Sequence, residues 1–316
     1  MRAYLDFEKP VAELEARIDE LRSAEVAKNG NSGDEIGRLE ARASEALREV
    51  YAQLSPWQKM QVARHPQRPH CLDFIKALID EFTPLAGDRK FGEDEAVVCG
   101  LGRFRGEPIC LIGQEKGSTT ESRLRHNFGM ARPEGYRKAV RLMELADRFS
   151  LPVLAFIDTA GAFPGIDAEE RGQAEAIARS TDACLALGAP NIALVIGEGG
   201  SGGAVALATA NRTLMLEHAV YSVISPEGAA SILWRDSARA EEAASSMRIT
   251  AQDLLRLGVI DAIVPEPLGG AHRDPQAAVL AAGEALAVQL GELSGRDAAA
   301  IRAERADRFL SIGRRL

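Results

Sequence analysis

The sequence predicts an α/β layered domain whose sheet grows through parallel crossovers, flanked at both ends by helical segments. Three observations carry this: short apolar runs alternate with helix-period stretches from about residue 96 to 265, the first 90 residues show only helical spacing, and a dense glycine run links a strand to a helix.

The elements follow in order. Val11, Leu14, Ile18 and Leu21 recur at three- and four-residue spacing, as do Ile36, Leu39, Leu47, Val50 and Leu54, and Lys28, Asn29, Gly30, Asn31, Ser32 and Gly33 supply a turn between them. This predicts a helical hairpin. Ser55, Pro56 and Gln58 make an N-cap, a first-turn proline and a capping-box partner, so a short helix starts there and stops at His65–Pro69. Ala96 to Phe104 and Ile109 to Gly113 flank Arg105, Gly106, Glu107 and Pro108 as a β-hairpin. Then come a helix over Pro133 to Phe149, a buried strand over Pro152 to Asp158, a helix over Ala168 to Leu187 and a strand over Asn191 to Gly197. A helix from about Gly202 to Ala210, strands at Thr213 to Glu217, Tyr221 to Ser225 and Ile260 to Val264, and a helix opened by Ser225 and Pro226 extend the alternation. Ala277 to Leu290 is helical again. The expected division is 1–90 helical, 91–270 core and 271–316 a helical extension.

Composition narrows the function. At 316 residues with 46% hydrophobic and 27% charged side chains, the chain has material for a large core. A net charge of -8 offers no broad cationic surface, so no nucleic acid is expected as partner. No apolar run is long enough to span a bilayer and the first residues lack a signal-like stretch, so no membrane is expected and a cytoplasmic location is. Cys71, Cys99, Cys110 and Cys184 form no C-x-x-C pair and read as reduced core thiols, with no metal site expected. No lysine follows Lys138, which excludes a Schiff-base or P-loop lysine in the second half.

The most informative segment is Asn191 to Leu207, where a strand runs into Gly197, Glu198, Gly199, Gly200, Ser201, Gly202 and Gly203. So many glycines before a helix point to main-chain amides that must approach something closely at the positive end of the helix. Three ligand chemistries fit. Gly197, Gly199 and Gly202 satisfy G-x-G-x-x-G, with Glu217 at the ribose-acid spacing of a dinucleotide fold. Ser201 between Gly199 and Gly203 satisfies G-x-S-x-G, with Asp158, His218 and His272 as conceivable triad partners. Paired amides also suit an oxyanion cradle with no side-chain nucleophile, which calls for a second loop nearby; Phe156 to Gly165, after the preceding strand, provides one. A tight structural turn is the plain alternative.

Several blocks narrow these readings. Phe156 to Gly165 (FIDTAGAFPG), Glu169 to Ala178 (EERGQAEAIA), Val195 to Ala204 (VIGEGGSGGA), Tyr221 to Trp234, Asn127 to Met143 and Val264 to Arg273 closely resemble the α subunits of bacterial acetyl-CoA carboxylase carboxyltransferases, as do Leu5 to Pro10 and Ala63 to Pro69. The resemblance runs in order over nearly the whole chain, short of the tail beyond about residue 290. It implies a crotonase-like fold, in which ββα units wind into a superhelix, with helical N- and C-terminal extensions. It also implies transfer of the carboxyl group of carboxybiotin, held on a biotin carboxyl carrier protein and charged by an ATP-dependent biotin carboxylase, to acetyl-CoA, giving malonyl-CoA for fatty acid synthesis. Under it, Gly202 and Gly203 are the catalytic amide donors, and Gly161, Phe163, Gly199 and Gly200 contact substrate. Lys116 and Arg125, on the loop after the hairpin, are candidate contacts for biotin or the CoA phosphates, with plain exposed loop cations as the alternative. A zinc-ribbon β subunit completes the site in an α2β2 assembly, so this chain is expected to be active only with that partner.

The sequence departs from the family's usual pattern in three places: Ala160 stands for a proline, Phe163 for a tyrosine and His126 for an arginine. His218 and His272 read as structural residues, since an amide cradle calls for no imidazole.

Overall fold

The computed structural model describes residues 3–28 and 33–314, so Asn29 to Ser32 of the turn expected over Lys28 to Gly33 lie outside the described residues. Helices α1 (Lys9–Lys28) and α2 (Gly33–Ala52) pair, and Val11, Leu47 and Tyr51 close a small core on Val62 of α3 (Pro56–Ala63). The capping box forms as its residues require: Ser55 Oγ accepts the Gln58 amide at 3.2 Å and Gln58 Oε1 accepts the Ser55 amide at 2.8 Å. Helix α4 (Cys71–Leu78) follows.

The sheet begins earlier than the sequence suggests. Ile79–Pro84 is a strand, β1, antiparallel to β2 (Val97–Phe104). Its acidic residues and terminal proline hide it from pattern reading, because an edge strand needs only one apolar face and tolerates proline where no ladder bond is due. β2 pairs with β3 (Glu107–Gln114) through a tight turn in which Arg105 and Gly106 both take positive φ, the backbone of a two-residue hairpin.

From β3 the sheet is parallel. After α5 (Thr120–Arg125) and α6 (Pro133–Phe149) comes β4 (Val153–Thr159), then α7 (Ile166–Glu170), α8 (Gln173–Ala186) and β5 (Asn191–Gly200). Helix α9 (Ser201–Ala208) leads to β6 (Arg212–Leu216) and the three-residue β7 (Val220–Ser222). Helices α10 (Pro226–Trp234), α11 (Ala240–Ser246) and α12 (Ala251–Arg256) precede β8 (Ala262–Val264), and α13 (Pro275–Leu293) and α14 (Ala298–Ser311) end the chain. Helices α11 and α12 were not foreseen, being short and alanine-rich or polar. The helix expected over Ala168 to Leu187 is broken at Gly172, which takes φ 81°.

The main sheet runs β1-β2-β3-β4-β5-β6-β8. Every residue of β4 and β5 is buried, so both faces of the sheet's centre are covered. Parallel strands placed in chain order, joined by right-handed crossovers, put their connecting helices on one face; α6 packs on α8 and α8 on α9 accordingly. Helices α4 and α13 pack on each other and on β4 and β5. β5 is shared: Ile192 to Val195 pair with β6, while Glu198 to Gly200 leave that ladder and pair with β7. The four cysteines are free and buried, and burial pushes the Cys184 thiol up to about 12.

Candidate functional site

The ends of β3, β4 and β5 lie side by side, and the loops that follow them meet. β5 extends to Gly200, further than expected, and α9 starts at Ser201 in a left-handed conformation (φ 53°). The helix has no side-chain cap at Gly200, and its first amides have no acceptor within the helix. These amides sit at the positive end of the helix dipole, where negative charge is stabilised.

The second loop rests directly on this turn. A Cβ at Gly200 would lie 2.1 Å from the Ala160 carbonyl oxygen, and one at Gly203 would lie 2.7 Å from the Gly161 carbonyl carbon. Much of the glycine density is therefore explained by contact between the two loops. Gly202 differs: its Cβ would meet only Ile177, at 3.4 Å, so its outer side is open. Gly199 lies under the Tyr221 ring.

Side chains fix the second loop. Thr159 Oγ1 accepts the Gly161 amide at 3.1 Å and donates to the Gly161 carbonyl at 2.7 Å. The Phe163 amide donates to Ala131 O at 3.0 Å, and Gln173 Nε2 donates to Ala131 O at 2.9 Å and to Phe163 O at 3.1 Å. The break at Gly172 lets Gln173 start a new helix there. The Phe163 ring lies against the Arg132 guanidinium, 4.4 Å from its centroid, so this aromatic is held without a hydroxyl. Buried Gln114 ties the loops from below, donating to Gly203 O at 2.8 Å and accepting the Asp158 amide at 3.2 Å. Gln114 and Gln173 escaped the sequence reading because only the fold brings their partners near, whereas Thr159 bonds Gly161 two positions on, a local turn signal that the sequence carries.

The two predicted cations part company here. Lys116 is not the exposed loop cation the sequence suggested; its side chain is 17% exposed and lies 2.8 Å from Asp158 and 2.6 Å from Glu198. Burial would lower its ammonium, but the two carboxylates outweigh burial and hold it above its ordinary value. Glu198, which burial would raise, is held down to about 2 by Lys116 and Arg64. Arg125 ends α5, is largely exposed and pairs with Glu95 at 3.6 Å. The neighbouring Arg123, not Arg125, lines the small cavity of about 220 Å³ around Lys116, Arg64 and Ala160.

The rival readings lose their partners. Among the described residues no histidine is hydrogen-bonded to Ser201, and Asp158 is engaged by Lys116 and the Glu198 amide. His126 is buried and bonded to Glu95 O, His218 is buried beside Glu266, and His272 stacks on His65 with ring centroids 3.8 Å apart. Glu217 accepts the Glu266 amide, and a sheet that adds parallel strands in chain order has no switch point for a dinucleotide. An apolar cleft of about 390 Å³ opens beside Ser201, lined by Val205, Tyr221, Met247, Ile249 and Leu257 among others. Among the described residues no His, Cys, Asp and Glu group is placed to hold a metal, and no single helix is long and apolar enough to cross a membrane.

Parallel strands wound in chain order, with β5 splitting into a second ladder at the glycine turn, define a crotonase-like fold. A sequence profile of the family described as acetyl co-enzyme A carboxylase carboxyltransferase-like matches residues 4–313. The chain belongs to this family. It is 74% identical to the acetyl-coenzyme A carboxylase carboxyl transferase subunit alpha of Methylobacterium nodulans over 318 residues, covering 100% of both chains. The protein of the same name from Rhodopseudomonas palustris strain HaA2 is 70% identical, with 100% of this chain and 98% of the relative covered. Among solved structures, the transcarboxylase 12S hexamer with methylmalonyl-coenzyme A and methylmalonic acid bound aligns with TM-score 0.58 at 18% identity, over 71% of this chain and 41% of that one. That likeness concerns the fold.

Proposed function

We propose that this chain is the α subunit of an acetyl-CoA carboxyltransferase and supplies the half of the site that takes the carboxyl group from carboxybiotin, presented by a separate carrier protein. The observation that carries the reading is the uncapped amide turn at Ser201–Gly203, with its open side at Gly202, packed on the Gly161 loop and lacking a side-chain base at Ser201.

The chemistry asks for that arrangement. When the bond between the biotin nitrogen and the carboxyl carbon breaks, the electron pair stays on the nitrogen and delocalises onto the ureido oxygen. The amides of Gly202 and Gly203 donate to that oxygen, stabilising charge where it develops. The biotin nitrogen then takes the proton of the acetyl methyl group, and the resulting carbanion forms a carbon–carbon bond to the released carbon dioxide, giving malonyl-CoA. No imidazole or carboxylate base is needed.

The partner is a β subunit with a zinc ribbon. An apolar rim supports this: Val223, Ile232 and Leu233 are 81%, 72% and 67% exposed, Val223 lines the cleft beside Ser201, and apolar surface of this kind seeks a cover. The test is reconstitution. The chain alone is inactive, and mixing it with the zinc-ribbon β partner restores biocytin-dependent decarboxylation of malonyl-CoA. Full turnover by the chain unaided would overturn the half-site reading.

A further inference from the structure

Beneath the glycine turn lies a chain of charges that takes no part in the amide chemistry set out above. Lys116 Nζ, just past β3, is 2.8 Å from Asp158 Oδ1 at the end of β4 and 2.6 Å from Glu198 Oε2 in β5. The same Asp158 oxygen accepts the Glu198 amide at 2.9 Å. The other Glu198 oxygen takes Arg64 Nε at 2.7 Å, and Arg64 Nη1 continues to Glu227 of α10 at 2.6 Å. The Asp158 and Glu198 side chains are only 4% and 10% exposed.

The backbone explains why side chains matter here. Ile157 pairs with Val195, but the next recorded pair is Thr159 with Gly199, so the β4–β5 ladder slips at Asp158. Over that slip, regular backbone pairing does not fix how far the end of β5 stands from the end of β4. The slip falls immediately before the two loops that meet at Gly161 and Gly203. A buried ion cluster adds little net stability over apolar packing of the same volume, yet its geometry is specific.

We propose that Lys116 is a positioning residue for the reaction: by bridging Asp158 and Glu198 across the slipped ladder, it sets where the amides of Gly202 and Gly203 stand relative to the Gly161 loop. This rests on the carboxyl-transfer reading for the meaning of those amides, but not for the bridge itself.

The experiment uses the complex with the β partner and two readouts. In transfer assays with malonyl-CoA and biocytin, Lys116→Met lowers kcat by about ten- to a hundredfold, the loss expected when catalytic groups are displaced by a fraction of an ångström to an ångström, with both KM values within about twofold. Lys116→Arg, which can still bridge two carboxylates, recovers most of the loss. A substrate contact would instead raise a KM, and that result overturns the proposal, as does an unchanged kcat. Hydrogen exchange of the peptide spanning residues 198–204 rises in Lys116→Met and returns toward the native level in Lys116→Arg. Unchanged exchange in Lys116→Met overturns the bridge whatever the reaction, whereas a native complex that transfers no carboxyl group overturns the carboxyl-transfer reading alone. Should the Met variant fail to assemble, Glu198→Gln removes one of the two charges at constant volume and gives the same pattern in milder form; no change in either readout overturns the proposal.

Discussion

Adding one methyl group at adjacent glycines separates packing from chemistry in the amide turn. In Gly203→Ala the new Cβ would lie 2.7 Å from the Gly161 carbonyl carbon and 2.8 Å from the Ala162 nitrogen, about 0.7 Å inside the 3.4 Å at which ordinary contact begins. Both neighbours are backbone, so the two loops must separate. Overpacking of this size costs roughly 1 to 3 kcal/mol, or about 1.5 to 4.5 °C in Tm for a chain of this length. The same displacement moves the amides, so kcat in the reconstituted complex falls by about ten- to a hundredfold. In Gly202→Ala the Cβ meets only Ile177 at 3.4 Å, and alanine is favoured over glycine in a helix by roughly 0.5 to 1 kcal/mol, so Tm stays level or rises. Calorimetry of the two variants beside the native chain decides it. A Gly203→Ala protein melting within 1 °C, roughly the error of such a scan, of the native one would refute the argument that the second loop dictates glycine there.

Three further outcomes follow from other parts of the molecule. Ser201→Gly relieves a left-handed serine (φ 53°) and raises stability by about 1 kcal/mol, while a fluorophosphonate probe leaves native Ser201 unlabelled; labelling would revive the hydrolase reading. His272, which burial and the nearby His65, Arg68 and Arg273 hold down to about 3, stays neutral in the folded chain while its unfolded counterpart takes a proton near 6.5. Stability is therefore constant above that value and falls as pH drops below it, by about 2 kcal/mol at pH 5, and urea titrations of His272→Phe show a shallower fall; an equal slope would remove His272 from the account. Arg305 is wholly buried and donates to Leu185 O, Leu187 O, Ala189 O, Asn191 Oδ1 and Asn211 Oδ1, so Arg305→Met loses roughly 3 to 5 kcal/mol and exposes α14 to proteolysis, whereas native-like resistance would contradict that role.

The sequence by itself determined the local elements and the family. The capping box at Ser55, the helix over Pro133–Phe149, the hairpin turn at Arg105 and Gly106, and the strand feeding the glycine turn are set by spacing and by residues a few positions apart, and such short-range preferences are written in the order of the side chains. The α/β alternation was legible too, although the strand β1 was hidden by its polar edge. Tertiary structure alone decided what each of these elements touches. Lys116 reads as one more loop cation until folding brings it to Glu198, 82 positions away, and Arg64 meets the same carboxylate across 134 positions. The glycines read as room for a ligand until the Gly161 loop is seen resting on Gly200 and Gly203 and leaving Gly202 open. The reason is physical: backbone preference acts between neighbours in the chain, whereas burial, charge pairing and steric contact act between neighbours in space, and those are fixed only once the strands have chosen their order.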